Sequence, residues 1–357
     1  MKELRNTAAC PLCRSRLGAE FECHACGQQY PSLASVRVLL PQPLAQIEYW
    51  KRQLGLIIQR SIDTKGTLLE QATATELGVA TQTRLLGLAR AILEQVEDIA
   101  VVLGPALGGH LPPDDEVGLP RGAMDYLSYL HRDWAWAGGQ DSENSSALAV
   151  VRRVTEGRAL GRALVIGAGA CRLAYDLHVH CGATETSVVD IDPFLLVIAE
   201  AVIRGASLPL TETSANAPEV DPVSCRWTLS ASSGALGEDQ LRFFLADGTD
   251  PPFVEGSFDT VITPWFIDQV PTDLPGFLRK VRALLAPGGR WINHGPLIYP
   301  PDKVSIASWY SREEIFELAR AVGFAIHAWE SASVPCLVSP LTGRGKIETV
   351  LTFEARS

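Results

Sequence analysis

The sequence predicts a Rossmann-like, doubly wound α/β sheet in its second half, a small cysteine-bound ribbon at its start and a helical cap between them. Three observations carry this. From Arg162 onward, short apolar runs alternate with amphipathic stretches, the pattern of strands and their covering helices. The first run, Ala163-Leu164-Val165-Ile166, ends in Gly167-Ala168-Gly169, and the next, Ser187-Val188-Val189, ends in an acidic residue, Asp190. Four of the eight cysteines stand close together near the start, as Cys10-x-x-Cys13 and Cys23-x-x-Cys26.

Composition bounds what such a protein can do. Of the 357 residues, 46% are hydrophobic and 20% charged, enough apolar surface for a substantial core. The net charge of −10 argues against a protein whose binding energy comes from neutralising many phosphates. The opening Met1-Lys2-Glu3-Leu4-Arg5-Asn6 lacks the apolar segment of a signal peptide, and no apolar run reaches the ~18 residues of a membrane span. The expectation is a soluble cytoplasmic chain with no membrane partner, whose acidic balance argues against nucleic acid as a partner.

Residues 1–42 read as the ribbon. In a cytoplasmic chain, paired Cys-x-x-Cys knuckles bind metal more often than they form disulfides. The intervening residues can fold as a hairpin that gathers Cys10, Cys13, Cys23 and Cys26 around one tetrahedral structural zinc. So short a unit cannot bury a sufficient core by itself, and the metal would supply its folding energy. The segment from Gln29-Tyr30-Pro31 to Leu39-Leu40-Pro41 resembles the tail of a zinc-ribbon module found in front of bacterial methyltransferases. Cys171, Cys181, Cys225 and Cys336 read as small buried hydrophobes.

Residues 43–155 form the helical cap. Leu54, Ile57, Ile58 and Ile62 recur at helical spacing, as do Leu85, Leu88, Ala89, Ile92 and Val96. Pro105, Gly108, Gly109, Pro112 and Pro113 should break the helices. A further helix carries Tyr126, Leu127, Tyr129 and Leu130 into Arg132-Asp133-Trp134, followed by a polar loop from Gly138 to Ser146. The domain from residue 156 to 357 holds the sheet. Its Pro-, Ser- and Thr-rich stretch from Gly205 to Glu238 reads as a long loop with a short hairpin around Cys225 to Leu229.

The glycine turn lets backbone approach a ligand, and an acidic residue at the end of the following strand binds ribose hydroxyls. Arg172 stands at the third position of the dinucleotide fingerprint, which disfavours NAD. After the apolar Phe243-Phe244-Leu245 comes Ala246-Asp247-Gly248; then Phe258-Asp259-Thr260-Val261-Ile262; then Pro287-Gly288-Gly289 before another strand. This ordered set resembles the class I methyltransferases that use S-adenosyl-L-methionine (SAM). The resemblance implies cofactor contacts at Gly167, Gly169, Asp190, Asp247 and Gly248. Ser311-x-x-Glu314 is a capping box opening a helix that Gly323 stops.

A narrower resemblance spans Tyr126 to Phe353. Arg132-Asp133-Trp134, Gly167 to Leu173, Trp265-Phe266-Ile267-Asp268 and Trp291-Ile292-Asn293-His294-Gly295-Pro296-Leu297-Ile298-Tyr299 are similar to motifs of the carnosine N-methyltransferase family. It implies that Tyr129 and Arg132 contact SAM and that Asp268 holds the acceptor imidazole. Tyr299 and His294 would then orient the acceptor or relay a proton. The chain departs from the family at Pro300, where a histidine is usual, and in Gly343 to Glu348, which lacks the family's tyrosines. Both departures argue against carnosine itself. The expected activity is SAM-dependent N-methylation of a small molecule or peptide at an imidazole-type nitrogen. The rivals are a zinc-ribbon RNA methyltransferase and a methyltransferase-fold scaffold without activity.

Overall fold

The computed structural model describes residues 7–114, 117, 127–136, 143–216, 222–270, 273–302 and 304–357. Tyr126 and residues 138–142 of the polar loop lie outside them. The chain begins with the ribbon, whose tail forms a two-stranded turn, β1 (Ser32–Leu33) and β2 (Val36–Val38). Two long helices follow, α1 (Pro43–Ala72) and α2 (Val79–Leu107), then α3 (Leu127–Trp134) and α4 (Glu143–Val154). Pro105 does not break α2 as expected; it sits in the last turn, and the helix ends at Gly108, whose φ of 73° suits a glycine stop.

The alternating half contains β3 (Gly161–Ile166), α5 (Arg172–His180), β4 (Ala183–Asp190), α6 (Pro193–Ile203), β5 (Leu208–Thr213), β6 (Ser224–Leu229), β7 (Leu241–Leu245), β8 (Phe258–Pro264), α7 (Leu274–Leu284), β9 (Leu285–Pro296), α8 (Arg312–Ala321), β10 (Ala325–Cys336) and β11 (Lys346–Arg356). A nine-stranded sheet runs β1-β2-β7-β4-β3-β8-β9-β11-β10. Its centre is parallel, and β11 and β10 close one edge as an antiparallel hairpin against β9. The stretch read as a loop with a hairpin near Cys225 is β5 paired with β6, outside the main sheet.

Alternate residues of each central strand serve two separate cores, as the period of a strand buried on both faces requires. Ala163 and Val165 join Val188, Phe243 and Ile262 under α1 to α6. Leu164 and Ile166 join Val189, Phe244, Val261 and Trp291 under α7, α8 and the ribbon. The ribbon is thus built into the sheet: Val38 pairs in parallel with Leu245, and Ala8 bridges Phe253.

Candidate active site

The strand order reverses between β4-β3 and β8-β9, and ligands in open α/β sheets bind beyond the carboxyl ends of strands at such a switch point. A cavity of about 750 Å³ lies there. The turns after β3, β4, β7 and β8 and the end of β9 line it, joined by α1 and the start of β11. Of the residues singled out in the sequence, Tyr129, Gly167, Gly169, Asp190, Asp247, Gly248 and Asp268 are on its wall.

One end is built from the glycine turn. Gly167 has φ 76°, and a Cβ there would sit 2.5 Å from Cδ2 of Phe266, so only glycine fits. Asp190 accepts hydrogen bonds from Gly169 N at 2.7 Å and Asp192 N at 2.9 Å, one on each carboxylate oxygen. Burial raises its pKa, and these two N–H groups pull it back down. A carboxylate offers about four lone-pair directions, so two ribose hydroxyls can still be accepted. Asp247 takes Thr249 N at 2.8 Å and Thr249 Oγ1 at 2.7 Å on a single oxygen.

The other end holds Asp268. It lies in a short helical turn after β8 and is 3% exposed. Its Oδ2 accepts Ile298 N at 3.2 Å, while Oδ1 is buried without a hydrogen-bond partner among the described residues. Burial pushes its pKa up to about 6; the Ile298 N–H and the neighbouring Gln269 side chain pull against that rise, and the nearby charge of Glu348 adds to it. Before it stands Trp265, a non-glycine residue at φ 45°. This strained backbone donates its N–H to His294 O at 2.9 Å, and its indole N–H to Glu348 Oε2 at 3.0 Å. A Cβ on Gly295 would come within 2.8 Å of the Trp265 backbone, which explains the glycine of the Asn-x-Gly-Pro-Leu stretch. Lys346 pairs with Glu348, and both line the cavity.

Three predicted residues are placed elsewhere. The Arg132 guanidinium is bonded to Asp133 at 2.6 Å and to Glu143 at 3.0 Å, and lies over the rings of Tyr129 and Trp265. It lines a second, smaller cavity of about 280 Å³ behind Trp265. His294 lines that cavity too, edge-on to Trp265, with Nδ1 2.8 Å from Thr352 Oγ1. Burial, helped by Arg132, lowers its pKa to about 4, so the ring is neutral. Tyr299 is buried, donates to Tyr310 O at 3.1 Å and stacks on Trp309. Burial raises its pKa. Sequence reasoning missed Gln46, Tyr49, Trp50 and Gln53 of α1, which line the cavity as one helical face at i, i+3, i+4 and i+7 spacing. It also missed Trp265 as a wall, although the residue sat inside a motif already noted.

At the ribbon, the four sulfurs lie within 4.8 Å of one another. Cys10 and Cys26 are 3.7 Å apart and Cys13 and Cys23 3.4 Å, near the ~3.8 Å that tetrahedral 2.3 Å metal–sulfur bonds imply. The residues fit a four-thiolate metal site.

A mostly parallel sheet with a reversed edge hairpin, a glycine turn and an acidic strand end together define the fold of class I SAM-dependent methyltransferases. Residues 214–336 match the family described as carnosine N-methyltransferase. The carnosine N-methyltransferase of Dictyostelium discoideum is 47% identical over 45 residues, 13% of this chain and 10% of that protein. The match therefore spans about a tenth of that curated relative. Among solved structures, the chain is similar to a 1,6-didemethyltoxoflavin-N1-methyltransferase of Burkholderia thailandensis, with 18% identity, 69% of this chain and 93% of that one covered, and a TM-score of 0.38. It is also similar to a SAM-dependent methyltransferase of Aquifex aeolicus, with 11% identity, coverage of 67% and 99%, and a TM-score of 0.38.

Proposed function

We propose that the protein is a SAM-dependent N-methyltransferase whose acceptor is a small molecule or peptide presenting an imidazole-type nitrogen. The observation that carries this is the orphaned Oδ1 of Asp268, a buried acceptor on the wall of the cavity that also holds the glycine turn and Asp190. Asp190, Gly167, Gly169, Asp247, Gly248 and Tyr129 would hold SAM, which supplies a methyl group already activated for displacement. Asp268 accepts the N–H of the acceptor ring and leaves the other ring nitrogen's lone pair free to point at the methyl carbon, ~3–3.5 Å away. As the ring becomes cationic, the carboxylate stabilises it, as the buried Asp does for the histidine of a catalytic triad. Trp265, fixed by Glu348, walls this end and excludes water. Arg132 acts through Tyr129 and Trp265, as a support for both rings. His294 and Tyr299 would act as supports behind the walls.

We place one structural zinc at Cys10, Cys13, Cys23 and Cys26. The ribbon arginines speak for a small acceptor over RNA: Arg14 is paired with Asp250, and Arg37 donates to Tyr30 O at 2.9 Å and covers Phe21. The open cavity speaks against a scaffold without cofactor. The test is incubation with labelled SAM and a panel of imidazole compounds, histidine peptides and total tRNA and rRNA, with products identified by mass spectrometry. Methyl transfer to a ring nitrogen of an imidazole supports the reading; transfer to RNA alone, or no SAM binding, overturns it.

A further inference from the structure

We infer that the cysteine ribbon clamps the cofactor end of the cavity and that Arg14, set by the first cysteine knuckle, is the positioning residue through which it does so. This rests on the SAM reading above. The loop that follows β7 carries Asp247, Gly248 and Thr249 on the cavity wall. It is attached to the ribbon at both ends. Leu39 N donates to Leu245 O at 2.8 Å at its start. Ala9 N donates to Pro252 O and Val254 N to Thr7 O, each at 2.8 Å, at its finish.

Arg14 grips the middle. Its guanidinium pairs with the Asp250 carboxylate and donates to Pro251 O at 3.2 Å. Asp250 N in turn donates to Asp247 O at 3.2 Å, closing the turn that presents Asp247. Lys280 holds the same carboxylate at 2.8 Å from the methyltransferase side and donates to Thr249 O at 3.2 Å. The ribbon is therefore one of two jaws on this turn.

The jaw is set by the knuckle. Arg14 directly follows Cys13, has φ 62°, and donates its N–H to Cys10 O at 2.9 Å. That left-handed step is the form the chain takes on leaving the first Cys-x-x-Cys pair, and it aims the side chain at Asp250. A metal bound at the four sulfurs would hold Cys10 and Cys13 together and so keep this step in place. Without that closure, the left-handed conformation costs free energy that a non-glycine residue must recover elsewhere. Two parts distant in sequence, the cysteine unit and the Asp247 turn, are thereby joined by the Arg14 side chain in addition to the backbone hydrogen bonds at the two ends of the loop.

The experiment uses the full chain loaded with zinc. Zinc content, thermal midpoint without cofactor, and SAM dissociation constant by calorimetry are measured for wild type, Arg14→Ala, Arg14→Lys, Asp250→Asn and Lys280→Ala. Hydrogen exchange of the peptide covering residues 245–254 is followed in each. Arg14→Ala is expected to keep its zinc, to exchange faster in that peptide, and to bind SAM about five-fold more weakly, the scale of one half-exposed ion pair. Arg14→Lys should recover most of the affinity. Asp250→Asn leaves the ribbon's own residues untouched but removes the carboxylate that Arg14 and Lys280 share, so it should weaken SAM binding and speed exchange at least as much as Arg14→Ala. If Arg14→Ala loses its metal, an Asp250→Asn defect larger than that of Lys280→Ala carries the clamp, and an equal one overturns it. Wild-type SAM affinity and wild-type exchange in both Arg14→Ala and Asp250→Asn would overturn the role of Arg14 and leave the turn held by the backbone hydrogen bonds at its two ends. A wild-type protein that binds no SAM would instead overturn the functional reading, while the exchange measurement still decides whether Arg14 orders the turn.

Discussion

At the end of the cavity proposed for the cofactor, Asp190 has each carboxylate oxygen committed to a backbone N–H; at the end proposed for the acceptor, Asp268 has one oxygen committed and the other unsatisfied among the described residues. Both groups are buried enough for their pKa values to rise. The first is held by its own glycine turn and is complete as a geometric object before any ligand arrives. The second is incomplete. A buried acceptor without a partner costs about 1–3 kcal/mol, and a protein keeps such a group where something else is to fill it. Under the proposed function the two ends do different work: one would recognise a fixed cofactor, the other would receive a proton-bearing acceptor.

The contrast breaks most sharply under Asp268→Asn. The change keeps size and hydrogen-bonding ability but removes the charge that stabilises the cationic product. Turnover should fall by ~10²–10⁴, while SAM affinity measured by calorimetry stays within a few-fold. Weak SAM binding with normal turnover would move Asp268 to the cofactor end. Asp190→Ala should give the mirror image: SAM affinity falls with the loss of a charged acceptor worth ~1.5–3 kcal/mol, or roughly ten- to a hundred-fold. Unchanged affinity would mean that the glycine turn is not a cofactor site.

Acid sharpens the same comparison more gently. Because Asp268 sits at about pKa 6 and must be ionised to accept the ring N–H, kcat/KM should fall about ten-fold per pH unit below that value. An imidazole acceptor must also be deprotonated, with an ordinary pKa near 6.5, so the acid limb should have a slope approaching two. In Asp268→Asn the residual activity should show a slope of one. A slope of two in the variant would place the second titrating group elsewhere. The sign for stability is the reverse of activity. A carboxylate whose folded pKa is raised makes the folded state relatively less stable as pH climbs from the ordinary carboxylate range through about 6, so this site opposes folding where it works.

Much of the geometry at the Asp190 end of the cavity could be read in the sequence because its parts are local: a strand, a glycine turn, an acidic strand end and Asp247-Gly248, each next to the element that positions it. The ribbon was legible for the same reason, since its cysteine spacing is itself the constraint. The acceptor end was only half legible. Asp268 sat in a motif, but Lys346 and Glu348, which share its cavity wall, come from β11, far along the chain. α1 contributes a cavity face that looked like ordinary helix surface. His294 and Arg132 show the limit most clearly. Strand parity places His294 on a face of β9 but does not say whether Trp265 stands between it and the ligand, and that depends on a left-handed backbone step no local pattern announces.

His294 therefore provides the finest test of the division. Its ring is neutral, packed on Trp265 and hydrogen-bonded through Nδ1 to Thr352, on the side of the smaller cavity. If it only supports the wall, His294→Ala should cost about 1–3 kcal/mol of stability, from the lost contact and the Thr352 hydroxyl left behind. Turnover at saturating acceptor should change by no more than a few-fold, and the acid limb of kcat/KM should not move. His294→Gln, which can still reach Thr352, should regain part of the thermal midpoint. Were His294→Ala instead to fold normally and lose a hundred-fold or more in turnover, a proton would have to pass from the acceptor site to His294. Trp265 would then be a movable partition, and the acceptor end would extend into both cavities.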